Sequence, residues 1–241
     1  MLWWLLALRV AVPEGSHAPF YPPTPELEKV AMPAFMLDDK PVTNAQFLTF
    51  VKANPEWARG TVSPLFAESG YLADWMGPKS IGALEPQAPV VSVSWHAARA
   101  FCQAQGGDLP TSWQWEYAAD ATLSAPSGAR KDPETLQQIL NWYAQGGSAL
   151  PGPVGQGQPN HFGLFDMHGL IWEWTLDFDA LPVTGDARDA GDAERLRFCG
   201  AGAVSAADTE DYASFMRLAF RDSLEADYAT SNLGFRCASS L

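Results

Sequence analysis

The stretch NHFGLFDMHGLIWEWTLD, residues 160–177, sets Asp166, His168 and Glu173 among glycines and bulky aromatics. Such a group of side chains suits a metal site, a catalytic site or a tightly packed core. His168 points away from transition metals. A zinc or iron centre needs further ligands at regular spacing, and His17, His96 and His161 provide none. A lone imidazole in a turn is most simply structural. In the core reading, Glu173 bonds backbone amides inside an aromatic shell.

Cysteine chemistry is the next candidate. Cys102, Cys199 and Cys237 are too few for a disulfide scaffold and have no CxxC spacing. One bridge with a leftover thiol is compatible with that count, and the spacing does not say which two would join. Near the C-terminus, Glu210 and Asp211 are adjacent carboxylates. On a strand such neighbours point to opposite faces, and a solvated acidic loop is the simpler reading of these two, while the alternation in Met216–Asp222 predicts a half-buried strand. The same strand would put Arg217 and Arg221 on one face, where core-edge carboxylates are their expected partners.

Several elements must position these groups. PVTNAQFLTFVKANPEW predicts a helix opened by a Thr43–Gln46 capping box, with Phe47, Phe50 and Val51 on one face and Asn54-Pro55 at its end. Gly60 to Glu85 reads as a long surface loop. PVVSVSWHAARAFCQAQGG predicts a short strand, Val90–Val93, and then a helix capped by Ser94 and stopped by Gly106-Gly107. That helix shows Trp95, Ala98 and Cys102 at helical spacing. Thr111 and Gln114 form a second capping box. Asp132 and Pro133 open a further helix through LNWY. LGFRCA reads as a closing strand, and the acidic run at 186–195 as a solvated loop. The fold class expected is α+β, helices early and irregular antiparallel strands late, in one domain at 12–241. Residues 1–11 are either an apolar leader or a first strand that includes ALRVAV.

Composition narrows the function classes. A net charge of −13 repels nucleic acid and anionic membrane, because phosphate binding relies on Lys and Arg. The apolar run through Leu8 is too short to span a bilayer. It resembles the apolar part of a secretory signal but lacks the basic leader and the small-residue cleavage site. Ten tryptophans and 47% hydrophobic residues supply a large core.

Four blocks occur in a fixed order: PVTNAQFLTFV, PVVSVSWHAARAFCQAQGGDLPTSWQWEYAA, NHFGLFDMHGLIWEWTLD and FRDSLEADYATSNLGFRCA. Together they resemble the formylglycine-generating enzyme / sulfatase-modifying-factor family, from roughly Val12 to Ala238. The resemblance implies a modified C-type-lectin-like fold, poor in regular secondary structure. It also implies a structural calcium held by side-chain oxygen from Asp166, the carbonyls of Gly169 and Ile171, and Glu173, with Trp172 and Trp174 as walls. Calcium takes about six to eight oxygens, mixing carboxylates with carbonyls, so the set is chemically suitable. Asn141 matches part of a second family calcium site, for which the sequence shows no obvious acidic partner. Cys102 and Cys237 match a pair bonded in relatives from oxidising compartments, which adds to the case for a periplasmic or secreted protein; a cytoplasmic location, with two buried thiols, is the alternative.

The resemblance fails at the reactive sulfurs. Oxidase members bind copper(I) through two cysteines after a Gly-Gly-Ser motif, since soft thiolates select that ion. Counting back without a gap from SNLGFRC puts Asp208 and Ala213 at those positions, and neither is a thiol. Cys199 precedes Gly-Ala-Gly and is expected to be a buried small hydrophobe. No copper is expected. The altered pocket would consist of Cys199, Gly200, Gly202, Asp208, Tyr212, Arg217 and Arg221. The expected function is an exported maturation or accessory factor that binds, and in a catalytic version modifies, a peptide or protein substrate. Such roles are known among relatives in siderophore maturation and in gene neighbourhoods of metalloenzymes. The alternative is a non-catalytic binding module, such as an immunity or adaptor protein, and a true oxidase ranks last.

Overall fold

Strands from near both ends of the chain meet on β4 (Phe35–Asp38). It is the central strand of a three-stranded antiparallel sheet, with β1 (Arg9–Val12) on one side and β7 (Ala238–Ser240) on the other. The molecule is a computed structural model that describes residues 8–19, 28–144, 150–179 and 209–241, the side chains at 209–212 and 215 excepted. The register sets Arg9 opposite Asp38, and the two form an ion pair at 3.0 Å. Two short pairings complete the strands: β2 (Gly15–His17) with β3 (Val30–Met32), antiparallel, and β5 (Trp172–Glu173) with β6 (Leu233–Gly234), parallel.

The helices begin where the sequence predicts. α1 (Asn44–Ala53) and α3 (Ser112–Ala119) start with complete capping boxes at Thr43/Gln46 and Thr111/Gln114. Each box satisfies two backbone donors that a helix start otherwise leaves open. Ser94 caps α2 (Trp95–Ala104), and the Asp132 carboxylate accepts from the Thr135 amide at 2.9 Å to open α4 (Pro133–Ala144). Beyond α2, Gly106 takes a positive φ of 74°, a conformation that favours glycine.

Three expectations are corrected. Val90–Val93 is buried but forms no strand. Its amides go to scattered partners, Val90 to the Val42 carbonyl and Ser92 to that of Thr230, and Ser92 itself has φ 54°. Gly60–Glu85 is irregular, as read, yet it does not simply run over the surface, because Ala67, Tyr71, Leu72 and Trp75 are buried in the main core. Met216–Asp222 belongs to a helix, α5 (Thr209–Asp222), instead of a strand. Within it Ala213, Arg217, Arg221 and, just beyond, Leu224 are buried at steps of four, four and three. Met216, Leu218 and Phe220 are only half-buried. The arginines take the inward face, so the apolar alternation that suggests a strand marks the outer flank of a helix.

The main core gathers Phe47, Phe50, Trp75, Phe101, Trp174 and Phe235 around the Cys102–Cys237 disulfide, the pair that the resemblance implies. The bridge ties α2 to the last strand segment across a sequence separation of 135. Among the described residues no helix is long and apolar enough to cross a membrane. Closing so long a loop lowers the entropy of the unfolded chain. The double variant Cys102→Ala/Cys237→Ala should therefore lose about 4–5 kcal/mol of unfolding free energy in urea denaturation.

Candidate functional site

The turn at Asp166–Glu173 is fixed by indoles and one arginine. Trp115 Nε1 donates to Glu173 Oε2 at 2.8 Å, Trp95 Nε1 to the Thr175 carbonyl at 3.0 Å, and Trp174 Nε1 to the Val93 carbonyl at 2.8 Å. Arg236 forks onto Glu173, with Nε to Oε2 and Nη2 to Oε1, both at 2.8 Å. Glu173 thus bonds a guanidinium and an indole in place of the backbone amides of the core reading. Asp166 and Gly169 turn the chain through positive φ angles of 54° and 92°.

The oxygens of this turn can be tested against a hard cation. Among the described residues Oε1 of Glu173 accepts only from Arg236, which leaves it a lone pair. One oxygen of Asp166 accepts from the Gly155 amide at 2.5 Å, and the other accepts nothing among the described residues. No described donor reaches the carbonyls of Gly169 and Ile171. Burial, with a smaller contribution from the nearby Glu173 charge, pushes the Asp166 carboxyl up. A dication would relieve both effects, and the all-oxygen donor set fits calcium. Fewer than three His, Cys, Asp or Glu side chains converge here, so carbonyls must complete any such shell. Asn141 is not part of this arrangement. It lies on the exposed side of α4 and accepts from Gln137 at 2.9 Å.

Next to the turn is a cluster that sequence reasoning missed, built on Glu116 of α3. Arg217 Nη2 donates to Glu116 Oε2 and Arg221 Nη1 to Oε1, each at 2.8 Å, while Arg217 Nε adds a bond to Oε1 at 3.0 Å. Both guanidinium groups lie over the Trp115 ring, Arg221 at 4.7 Å from its centroid. Although burial opposes ionisation, the two arginines hold the Glu116 carboxyl far below the usual carboxylate range. His168 Nε2 lies 3.0 Å from the Ala119 carbonyl, which fixes the proton on that nitrogen. Burial and then the Arg217 charge lower its pKa to about 4. The Tyr143 hydroxyl donates to the Ala213 carbonyl, and burial pushes it up. Hence no group in the cluster is poised near neutrality for proton transfer. One signal for it was available: Glu116 sits in WEYAA, where Trp115, Tyr117, Ala118 and Ala119 are all buried. A carboxylate in so apolar a helix requires cations.

The structure commits Arg217 and Arg221 to Glu116, the kind of carboxylate partner expected for them. Tyr212 lies in α5 with its side chain outside the description, and Cys199, Gly200, Gly202 and Asp208 fall outside the described residues, as does the acidic run at 186–195. Glu210 and Asp211 lie on the helix, not on a strand, and their side chains are likewise undescribed. Ala213 is described and closed off: it is 1% exposed and packs with Leu136 and Ile139 of α4.

The sequence matches the family described as "Sulfatase-modifying factor enzyme 1-like domain" over residues 9–241. The chain belongs to this family. It is 31% identical over 249 residues to "Inactive C-alpha-formylglycine-generating enzyme 2" of Mus musculus, covering 88% of this chain and 77% of that protein. Identity to the formylglycine-generating enzyme of Streptomyces coelicolor is 29% over 256 residues, with 87% and 79% covered. Among solved structures, CarF superposes with a TM-score of 0.58 at 18% identity, covering 98% of this chain and 99% of that one. PvdO from Pseudomonas aeruginosa gives 0.50 at 15% identity, with 97% and 94% covered. The sulfatase-modifying-factor fold expected from the four sequence blocks is thus the fold of this chain.

Two outcomes test the Glu116 cluster of this family member. Glu116→Gln leaves two buried guanidinium groups without a counter-charge and should cost about 3–5 kcal/mol in denaturant unfolding. For His168, the unfolded chain takes up a proton near pH 6.5 while the folded one resists until about 4. Stability is therefore complete above pH 6.5 and lost as pH falls towards 4, by on the order of 3 kcal/mol. His168→Gln should flatten that slope in part, since buried His17, lowered mainly by burial, acts in the same direction.

Proposed function

We propose that this chain is an exported maturation or accessory factor of the family, which binds a peptide or protein substrate without copper–cysteine oxidase chemistry. The burial of Ala213 carries this reading. The resemblance implies a copper thiolate at that position, yet its methyl group lies among Leu136, Ile139 and Tyr143, with no sulfur and no open face. A soft metal needs paired thiolates. Of the remaining cysteines, Cys102 and Cys237 are bonded to each other, which leaves Cys199 as a single thiol. The disulfide supports export, because such bonds persist in oxidising compartments.

A second reading, a non-catalytic protein-binding module, is favoured by the titration pattern around Glu116, where no acid or base is tuned to neutral pH. Incubating the protein with a captured partner and weighing that partner by mass spectrometry separates the two. A changed partner mass supports a modifying factor, an unchanged mass in a stoichiometric complex supports the binding module, and no complex with any exported protein sinks both. In competition with a copper(I) chelator, the metal should remain on the chelator; tight copper binding through Cys199 would restore the oxidase reading.

We also assign a structural calcium to Asp166, the carbonyls of Gly169 and Ile171, and Glu173. The ion would supply positive charge that ties the two carboxylates together across the turn. Calcium at a hundredfold excess over its dissociation constant should stabilise the fold by about 2.7 kcal/mol. The shift should vanish with chelator and in Asp166→Ala. An unfolding temperature indifferent to calcium would remove the assignment.

A further inference from the structure

The Glu116 cluster does not balance its own charge. One carboxylate faces two guanidinium groups, whose side chains are 5% and 6% exposed. The neighbouring acids are already taken, Asp120 by Arg130 and Glu173 by Arg236. An excess of one positive charge is therefore enclosed among the described residues. It also has a definite location. Nε and Nη2 of Arg217 bond Glu116, and Nη2 also bonds Ser214, whereas Nη1 is fully buried and makes no well-formed hydrogen bond among the described residues, the neutral Tyr143 hydroxyl being the polar group that otherwise interacts with this guanidinium. Buried charged donors without an acceptor are costly and rarely kept.

Arg217 lines a cavity of about 20 Å³ between α4, α5 and the Asp166–Glu173 turn. Its walls include Trp115, Trp142, Tyr143, Trp172, the second guanidinium, that of Arg221, and Glu173, whose charge Arg236 already pairs. A space of about 10–15 Å³ already holds one water-sized particle, so the cavity takes one atom and excludes a carboxylate or phosphate. Aromatic rings present a positive edge, which suits an anion. Tyr143 and Phe220 stack on Trp172 with centroids 5.2 and 4.4 Å away, which makes the wall rigid.

We propose that this cavity binds a single halide ion, chloride in the cell, held by Nη1 of Arg217. The ion would cancel the enclosed charge and fix α5 against α3 and α4. Gly169, Ile171 and Glu173 of the proposed calcium turn border the same cavity, and the halide takes its Arg217 side.

Crystals of the full chain grown in sodium bromide provide the direct test. An anomalous peak within hydrogen-bond reach of Arg217 Nη1 is expected. An ordered water there without anomalous signal, or bromide only on surface arginines, overturns the proposal. In solution, the unfolding midpoint should be about 3 °C higher in sodium chloride than in sodium gluconate of equal ionic strength. Arg217→Lys, which keeps the charge but lacks Nη1, should lose that increment. Equal midpoints of the natural chain in the two salts also overturn the proposal, whether or not the variant folds.

Discussion

Arg236 has no exposed surface, and its guanidinium forks onto a Glu173 side chain that is 1% exposed. It also donates to the carbonyls of Asp38, Asp39 and Phe165. One side chain thus joins the end of β4, the segment leading into the Asp166 turn, and the turn's glutamate. Its neighbour Cys237 is bonded to Cys102, and the Cys237 amide donates to Asp38 Oδ2 at 3.0 Å. A buried ion pair contributes little net stability compared with a well-packed apolar pair. What it adds is intolerance of misplacement, since either partner alone would be a buried charge. In a fold with short strands, that intolerance sets the geometry.

The same principle recurs in the second buried cluster. Ordinarily a surface helix turns apolar residues inward and charges outward. α5 does the reverse, burying Arg217 and Arg221 against Glu116 and leaving Met216, Leu218 and Phe220 on its flank. Phe220 is not wasted there, as it stacks on Trp172. Polar anchoring inside and aromatic packing at the edge together let the helix dock on α3 and α4, with Ala213 adding an apolar contact to Leu136, Ile139 and Tyr143.

Tryptophan is abundant here for a related reason. An indole combines a large apolar surface with one directional donor. Trp75, Trp95, Trp115 and Trp174 each use that donor on a named acceptor: Asn44, Thr175, Glu173 and Val93. Irregular backbone, which lacks ladders to satisfy its carbonyls, is fixed by side-chain donors. The long loop at Gly60–Glu85 follows the same logic, with Trp75 anchoring it in the core.

Local chemistry could be read directly from the sequence. The helix starts at Thr43, Ser94, Thr111 and Asp132 depend on side chains at most three residues away, so the chain itself determines them. The family and its fold were legible because four ordered blocks survive, including the turn that collects Asp166, Gly169, Ile171 and Glu173. Long-range contacts made the other decisions. Val90–Val93 has the composition of a strand but meets different partners at each amide, Val42 at one and Thr230 at another. At α5 the sequence is ambiguous, because residues four apart share a face in both a helix and a strand. Only the distant Glu116, 101 and 105 positions away from its two arginines, favours the helix. Glu116 in its apolar helix signals that a cation is needed, but a charge that must find its counter-charge across the fold leaves no local pattern that says which one, and for that reason tertiary structure alone could decide it.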